Sequence, residues 1–261
     1  MRLNRKFVAL LLAALVLPLA GCGFLQRLRS RDNLNKGVKA FTEQKYTEAA
    51  GFFQAATELD PEFTVPKMYL ASTYVQQFIP GSPDPKNLEM ADKAIRTFQQ
   101  VIDIEKEPKG KLNAMLSIAS LYYQLKRYDE SKDWCRKILE LDPTAAEAHY
   151  RIAVINFDDS LAKTGLQGEN VEFMNDEDKA HTTQDIEEGL KAIDQALSIR
   201  PDYFDAMEYQ NLLWREKAKL EKDAKVKAEL IRQADLVAQK SLALKLQAAQ
   251  EEAKKPKKLA K

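Results

Sequence analysis

Residues 112–145 read LNAMLSIASLYYQLKRYDESKDWCRKILELDPTA. Ala119 and Ser131 are small, as two helices packed closely at those points would require. Cys135 and Ile138 are apolar and would fill the space toward a neighbouring pair of helices. Pro143 has no amide hydrogen to donate, so it stops the second helix and opens a turn. The closing Leu141-Asp142-Pro143 has counterparts in Leu59-Asp60-Pro61 and Ile199-Arg200-Pro201. Counting back from Pro61 places Gly37, Tyr46, Ala49, Phe53 and Ala56 at equivalent distances. Glycine and proline are sparse, 9 and 10 in 261 residues, and alanine, leucine, lysine and glutamate dominate, which points to helices. With 45% apolar and 30% charged residues, disorder is excluded as the general state.

These spacings resemble the tetratricopeptide repeat, a helix pair of about 34 residues. Its small residues fall at positions 8 and 20, aromatics near 11 and 17, apolar residues at 24 and 27, and proline at 32. Ala119, Tyr122, Tyr128, Ser131, Cys135, Ile138 and Pro143 take those places in turn. Gly37, Tyr46, Ala49, Phe53, Ala56 and Pro61 do so in an earlier repeat. Two repeats are interrupted. Leu70, Ala71 and Tyr74 match the start of one, but its Ala94-Ile95 comes 11 residues late, after Pro80-Gly81-Ser82-Pro83-Asp84-Pro85. Ile152 and Ala153 match the start of another, whose Pro201 comes 24 residues late. A fifth unit starts at Phe204, with Met207 and Trp214 at positions 4 and 11. The resemblance implies an all-α solenoid of four to five helix pairs with a long C-terminal helical cap. The expected repeats are 32–63, 64–108, 112–145, 146–202 and 203–220 onward, with insertions near 76–87 and 158–183. A capping helix over 221–252 and a basic disordered tail over 253–261 would follow, because a solenoid needs covered ends.

The N-terminus carries a second signal. Arg2, Arg5 and Lys6 precede 11 apolar residues, Phe7 to Leu17, too few for a spanning helix, which needs about 20. Leu19-Ala20-Gly21-Cys22 follows. The order resembles the leader and lipobox of bacterial lipoproteins, the other reading being an ordinary signal peptide with Cys22 incidental. The lipoprotein resemblance implies removal of 1–21, lipidation of Cys22 (with palmitate among the acyl chains), and membrane attachment without a transmembrane helix. Gly23, where an aspartate would retain many lipoproteins at the inner membrane, implies an outer-membrane protein facing the periplasm in a host with two membranes. Residues 22–31 read as a membrane-proximal tether, reaching at most roughly 35 Å. Its Phe24, Leu25 and Leu28 interleave with Arg27, Arg29 and Arg31, a mix that favours a lipid interface.

Charge divides the mature chain. Residues 22–214 carry −9 and residues 215–261 carry +7. The basic end suits anionic lipid, polysaccharide or an acidic protein, or is a solvated helix face. Nucleic acid is not expected for an exported protein. With Cys22 lipidated, Cys135 has no disulfide partner and reads as a small buried residue. P-loop, nucleophile-elbow, zincin and dinucleotide-binding motifs are absent from the sequence. His149 reads as a core or half-buried histidine and His181 as solvated, and neither as a metal ligand or a catalytic base. The acidic insertion, with Asp158, Asp159, Glu169, Glu172, Asp176, Glu177 and Asp178, lacks EF-hand spacing and reads as a flexible or docked loop. No cofactor, metal or small-molecule substrate is expected.

The tetratricopeptide resemblance places ligands in a concave groove of first helices. Carried onto this chain, it gives Leu34, Val38 and Phe41, then Val65, Met68, Ser72 and Val75. It continues with Asn113, Leu116, Ser120, Tyr123 and Gln124, then Glu147, Tyr150, Val154 and Phe157. The groove would take a peptide or helix from a partner protein, or the chain's own insertions, with Tyr123, Tyr150 and Phe157 at its centre. The function expected is a non-catalytic, lipid-anchored scaffold for protein partners at the bacterial envelope. Proteins of this design serve barrel, pilus or secretin assembly, or adapt peptidoglycan hydrolases. A self-assembling structural component is the alternative. A peptidoglycan lyase would need a compact catalytic domain, for which the repeats leave no room.

Overall fold

The computed structural model describes the backbone of residues 5–254 and the side chains of residues 23–251. The expectations for the 1–21 leader, for lipidation of Cys22 and for the 253–261 tail fall outside those side chains. The described residues form ten α-helices, one turn of 3-10 helix at Val171–Phe173, and no strand. They divide into two compact units, residues 1–127 and 128–261.

The first unit holds α1 (Arg5–Thr42), α2 (Tyr46–Leu59), α3 (Thr64–Gln77), α4 (Pro85–Ile104) and α5 (Pro108–Gln124). α1 pairs with α2 and α3 with α4, and each pair packs on the next helix. The first pair and α3 share a core of Ala40, Ala49, Phe53 and Leu70. Gly37 stands against the Phe53 ring, so close that any side chain there would strike it. Burying a phenylalanine contributes about 2–3 kcal/mol, which explains why a glycine is kept opposite.

Residues 23–31, within the expected 22–31 tether, are helical. They lie within α1, and near their end Ser30 is fully buried, its hydroxyl donating to the Ala56 carbonyl of α2 at 2.8 Å. The first insertion is likewise ordered. Asn87 accepts from the Ile79 amide at 2.6 Å and donates to the Ile79 and Ser82 carbonyls. That stitches the proline-rich turn to the start of α4, where Asp84 caps the Lys86 amide and Pro85 opens the helix.

Two turns share one geometry. After α1, the Lys45 amide donates to the Ala40 carbonyl and that of Gln44 to Phe41, both at 2.9 Å. After α5, Arg127 donates to Tyr122 and Lys126 to Tyr123, again at 2.9 Å. Gln44 and Lys126 sit at φ of +60° and +58°. This is the Schellman helix end, usually made by glycine. Gln44→Gly and Lys126→Gly are each expected to raise stability by about 0.5–1 kcal/mol, relieving a left-handed residue. Urea denaturation checks this. A lower midpoint would mean that side-chain contacts outweigh the backbone strain.

The second unit holds α6 (Tyr128–Leu141), α7 (Ala146–Thr164), α8 (Asp176–Ile199), α9 (Phe204–Leu220) and α10 (Ala224–Lys254). α7 packs against α6, α8 and α9, and α9 against α8 and α10. Gly189 of α8 lies twelve residues before Pro201, as Ala49 and Ser131 lie before their prolines. A Cβ there would touch Leu213 at 3.1 Å and Asn156 at 3.3 Å, so its smallness lets α7 and α9 close on α8. The second insertion is mostly helix. Residues 158–164 lengthen α7 and 176–183 lengthen α8, leaving a loop over 165–175. Asn175 accepts from the Asp178 amide at 2.8 Å, and Asp176, Glu177 and Asp178 fill the first turn of α8. Carboxylates at a helix N-terminus are stabilised by the dipole, which is why this acidic run is helical.

Candidate functional site

In the first unit a cleft of about 190 Å³ opens between α3 and α5 over α4. Ser72, Val75 and Gln76 form one wall, Ser117, Ser120 and Gln124 the other, and Phe98 and Leu121 the floor. Phe98 and Leu121 are 2% and 1% exposed, so the floor is core. Four of these residues, Ser72, Val75, Ser120 and Gln124, are groove positions carried over in the sequence reading. Ser117 bonds its own helix, through the Asn113 carbonyl. The side chains of Ser72, Gln76, Ser120 and Gln124 make no hydrogen bond to any described residue. None of the lining residues is charged. The cleft therefore offers neutral donors and acceptors above an apolar base.

The other first-unit groove positions divide. Met68, Leu116 and Tyr123 are half-buried along α3 and α5. Phe41 is half-buried, its ring edge-on to Tyr46 at 5.4 Å and to Tyr69 at 6.3 Å.

In the second unit the expected groove wall is largely closed. Val154 is 3% exposed and Phe157 is 9% exposed. Tyr150 is wedged between Tyr203, at 5.0 Å, and Tyr209, at 5.5 Å. Phe157 meets the same Tyr209 ring edge-on at 5.5 Å. The reason is that α9 lies along this face of α7 and presents Tyr209 to it. Tyr150 and Phe157 thus pack α7 on α9, Val154 is buried on the same helix, and the three are not open contact positions. Burial pushes the Tyr150, Tyr203 and Tyr209 hydroxyls above the ordinary phenol range.

What remains of Phe157 faces a second cleft, of about 410 Å³, with Leu161, Leu166, Leu212 and Ile231. The 165–175 loop forms its lip. Glu169 folds back to accept from the Leu166 and Gln167 amides. Beneath the lip, Glu216 is 3% exposed, accepts from the Thr164 hydroxyl at 2.7 Å and pairs with Lys219 at 2.5 Å. Lys219 also donates to the Gly165 carbonyl at 2.8 Å. Sequence reasoning missed this network, because two charges three residues apart on a helix read as a solvated pair.

The remaining candidates carry no reactive geometry. Cys135 is fully buried and free, and desolvation pushes its thiol up to about 12, so it is chemically inert. His149 is half-buried with Nε2 3.2 Å from the Pro143 carbonyl. His181 is exposed, 3.9 Å from Glu177. Among the described residues, no group of three or more His, Cys, Asp or Glu side chains could hold a metal ion. No described helix is long and apolar enough to cross a membrane.

The chain is an all-α protein of the tetratricopeptide-repeat fold. Residues 112–144 match the family described as Tetratricopeptide repeat, the segment that spans α5 and α6. Among solved structures it is similar to a crystal structure of MamA protein, at 13% identity and a TM-score of 0.57, over 89% of this chain and 97% of that one. It is also similar to MamA 41-end from Desulfovibrio magneticus RS-1, at 12% identity and a TM-score of 0.55, over 84% and 96% of the two chains. No curated protein matches it in sequence.

Proposed function

We propose that this chain is a non-catalytic scaffold, lipid-anchored through Cys22 at the bacterial envelope, that holds a segment of a partner protein in the α3–α5 cleft. One observation carries the reading: four neutral polar side chains without a bonding partner among the described residues, set over a buried apolar floor. Hydroxyls and amides suit the N–H and C=O groups of a peptide backbone, and the floor suits one apolar side chain. With no lysine or arginine in the lining, a terminal carboxylate is not what the cleft selects. The internal part of a chain fits it better than an end.

The membrane half of the proposal rests on the basic n-region, the apolar run and Leu19-Ala20-Gly21-Cys22. Outer-membrane residence on the periplasmic side follows from Gly23. A second reading, self-assembly, is favoured by Leu242 and Leu246 of α10, 59% and 56% exposed on one helix face.

Photo-crosslinking side chains placed at Ser72 and at Ser120 should capture the same envelope protein from intact membranes. Val75→Glu should reduce that capture at least tenfold while leaving the melting temperature unchanged, since Val75 is only half-buried. Capture that survives Val75→Glu, or that occurs equally from an exposed control position such as Glu140, would refute the cleft. Dimers by light scattering, dissociated by Leu242→Glu, would support self-assembly instead. Cys22→Ala should abolish labelling by a palmitate analogue, and a labelled variant would remove the anchor from the proposal.

A further inference from the structure

We infer that the first described turns of α1 form a docking face for an anionic lipid surface. This deepens the membrane attachment proposed above, and it is tested without the acyl chain, so either can fail alone. Residues 23–29 are exposed, and Ser30 is the first described side chain of α1 that is buried against the body of its unit. Within that projecting stretch Phe24, Leu25 and Leu28 are 66%, 54% and 54% exposed. A helix turns about 100° per residue, so these three share one side. The same turn angle places Arg27 and Arg31, four residues apart, along one edge of that side, and Arg29 along the other. Ser30 falls on the opposite side, against α2. The apolar stripe therefore faces away from the folded body.

The charge selects the occupant. Arg27, Arg29 and Arg31 are exposed and form no ion pair with a described carboxylate. The first acidic residue of the chain, Asp32, is already held by Lys36 at 2.7 Å. Large apolar side chains flanked by arginines on both edges match a lipid interface, where the stripe enters the acyl boundary and the guanidinium groups meet phosphates. A protein groove would satisfy the apolar stripe equally well, but it would not need three unpaired cations around the rim. Clusters of basic residues beside an apolar face gain from anionic lipid specifically.

The test uses the processed chain, beginning at residue 22 with serine there, and sedimentation with lipid vesicles. Binding is expected to phosphatidylcholine vesicles containing phosphatidylglycerol, and not to phosphatidylcholine alone. Arg27→Ser/Arg29→Ser/Arg31→Ser should weaken it by on the order of 100-fold at low salt, at about 1 kcal/mol per arginine. Phe24→Ser/Leu28→Ser should weaken it at both low and high salt. Neither change should move the melting temperature, because all five side chains are exposed. Equal binding to neutral vesicles would overturn the inference. So would an unchanged triple variant, or loss of binding only when the basic residues beyond 252 are removed. Self-association through Phe24 and Leu28, seen by light scattering with no vesicle binding, would assign the face to a second copy and overturn it too.

Discussion

Gly37→Leu is expected to leave the first unit unable to fold at ordinary temperature. An added Cβ lies 2.5 and 2.6 Å from two carbons of the Phe53 ring and 3.0 Å from a third. Phe53 cannot yield, since it is fully buried and stacked on Tyr69 at 5.2 Å and 18°. Even Gly37→Ala, which gains up to about 1 kcal/mol of helix propensity, should lose net stability. Overpacking costs typically 1–3 kcal/mol, and the larger side chain more. Gly51 is the matched control. It lies in α2 with nothing within 4 Å of its Cβ position, so Gly51→Ala should stabilise by about 1 kcal/mol. Adding Phe53→Leu to Gly37→Ala should recover part of the loss. Thermal and urea denaturation followed by circular dichroism measure all four. A stable Gly37→Leu would mean that α1 and α2 can separate without cost, contrary to their packing here.

Glu216→Ala should cost about 3–5 kcal/mol, the typical result of removing one partner from a buried ion pair. The carboxylate is 3% exposed and joins the Thr164 hydroxyl to the Lys219 ammonium. Without it, Lys219, whose side chain is 15% exposed, keeps only the Gly165 carbonyl. Of this network only that bond then ties the 165–175 loop to α9, and protease cleavage within the loop should rise. Replacing both charges, Glu216→Leu/Lys219→Met, should recover much of the stability, because no uncompensated charge is left inside. The double variant should still be cleaved in the loop, since the Lys219 bond to Gly165 is gone. If the single and double variants were equally destabilised, packing would outweigh the charge pair.

Much of the fold could be read from a few residue types. Pro61, Pro143 and Pro201 mark where second helices end, and Ala49 and Ser131 mark where helices touch. Gly189 was open to the same reading, twelve residues before its proline, and only the long insertion hid it. The helices of the insertion carry a local signal that repeat spacing does not contain. Asn175-Asp176-Glu177-Asp178 is a cap followed by three carboxylates, a helix start on its own terms. The turns at Gln44 and Lys126 had no signal, since neither residue favours a left-handed backbone. At the candidate site, Ser72, Val75, Ser120 and Gln124 were named from repeat positions and share one cleft. Val154 and Phe157 were named by the same rule and are covered. Repeat position says which way a side chain faces, but not whether a following helix carries an aromatic such as Tyr209 to cover it.

The continuity of α1 bears on mechanics. From residue 22 to Ser30 the helix rises about 12 Å, at about 1.5 Å per residue, where an extended strand of that length would reach more than twice as far. A lipid on Cys22 would then sit at one end of a stiff rod set into the first helix pair, rather than at the end of a leash. Bending and twisting at the bilayer would pass directly into α1 and α2. A partner would meet a platform of restricted tilt, and two glycines inserted after Leu25 would convert that rod into a swivel.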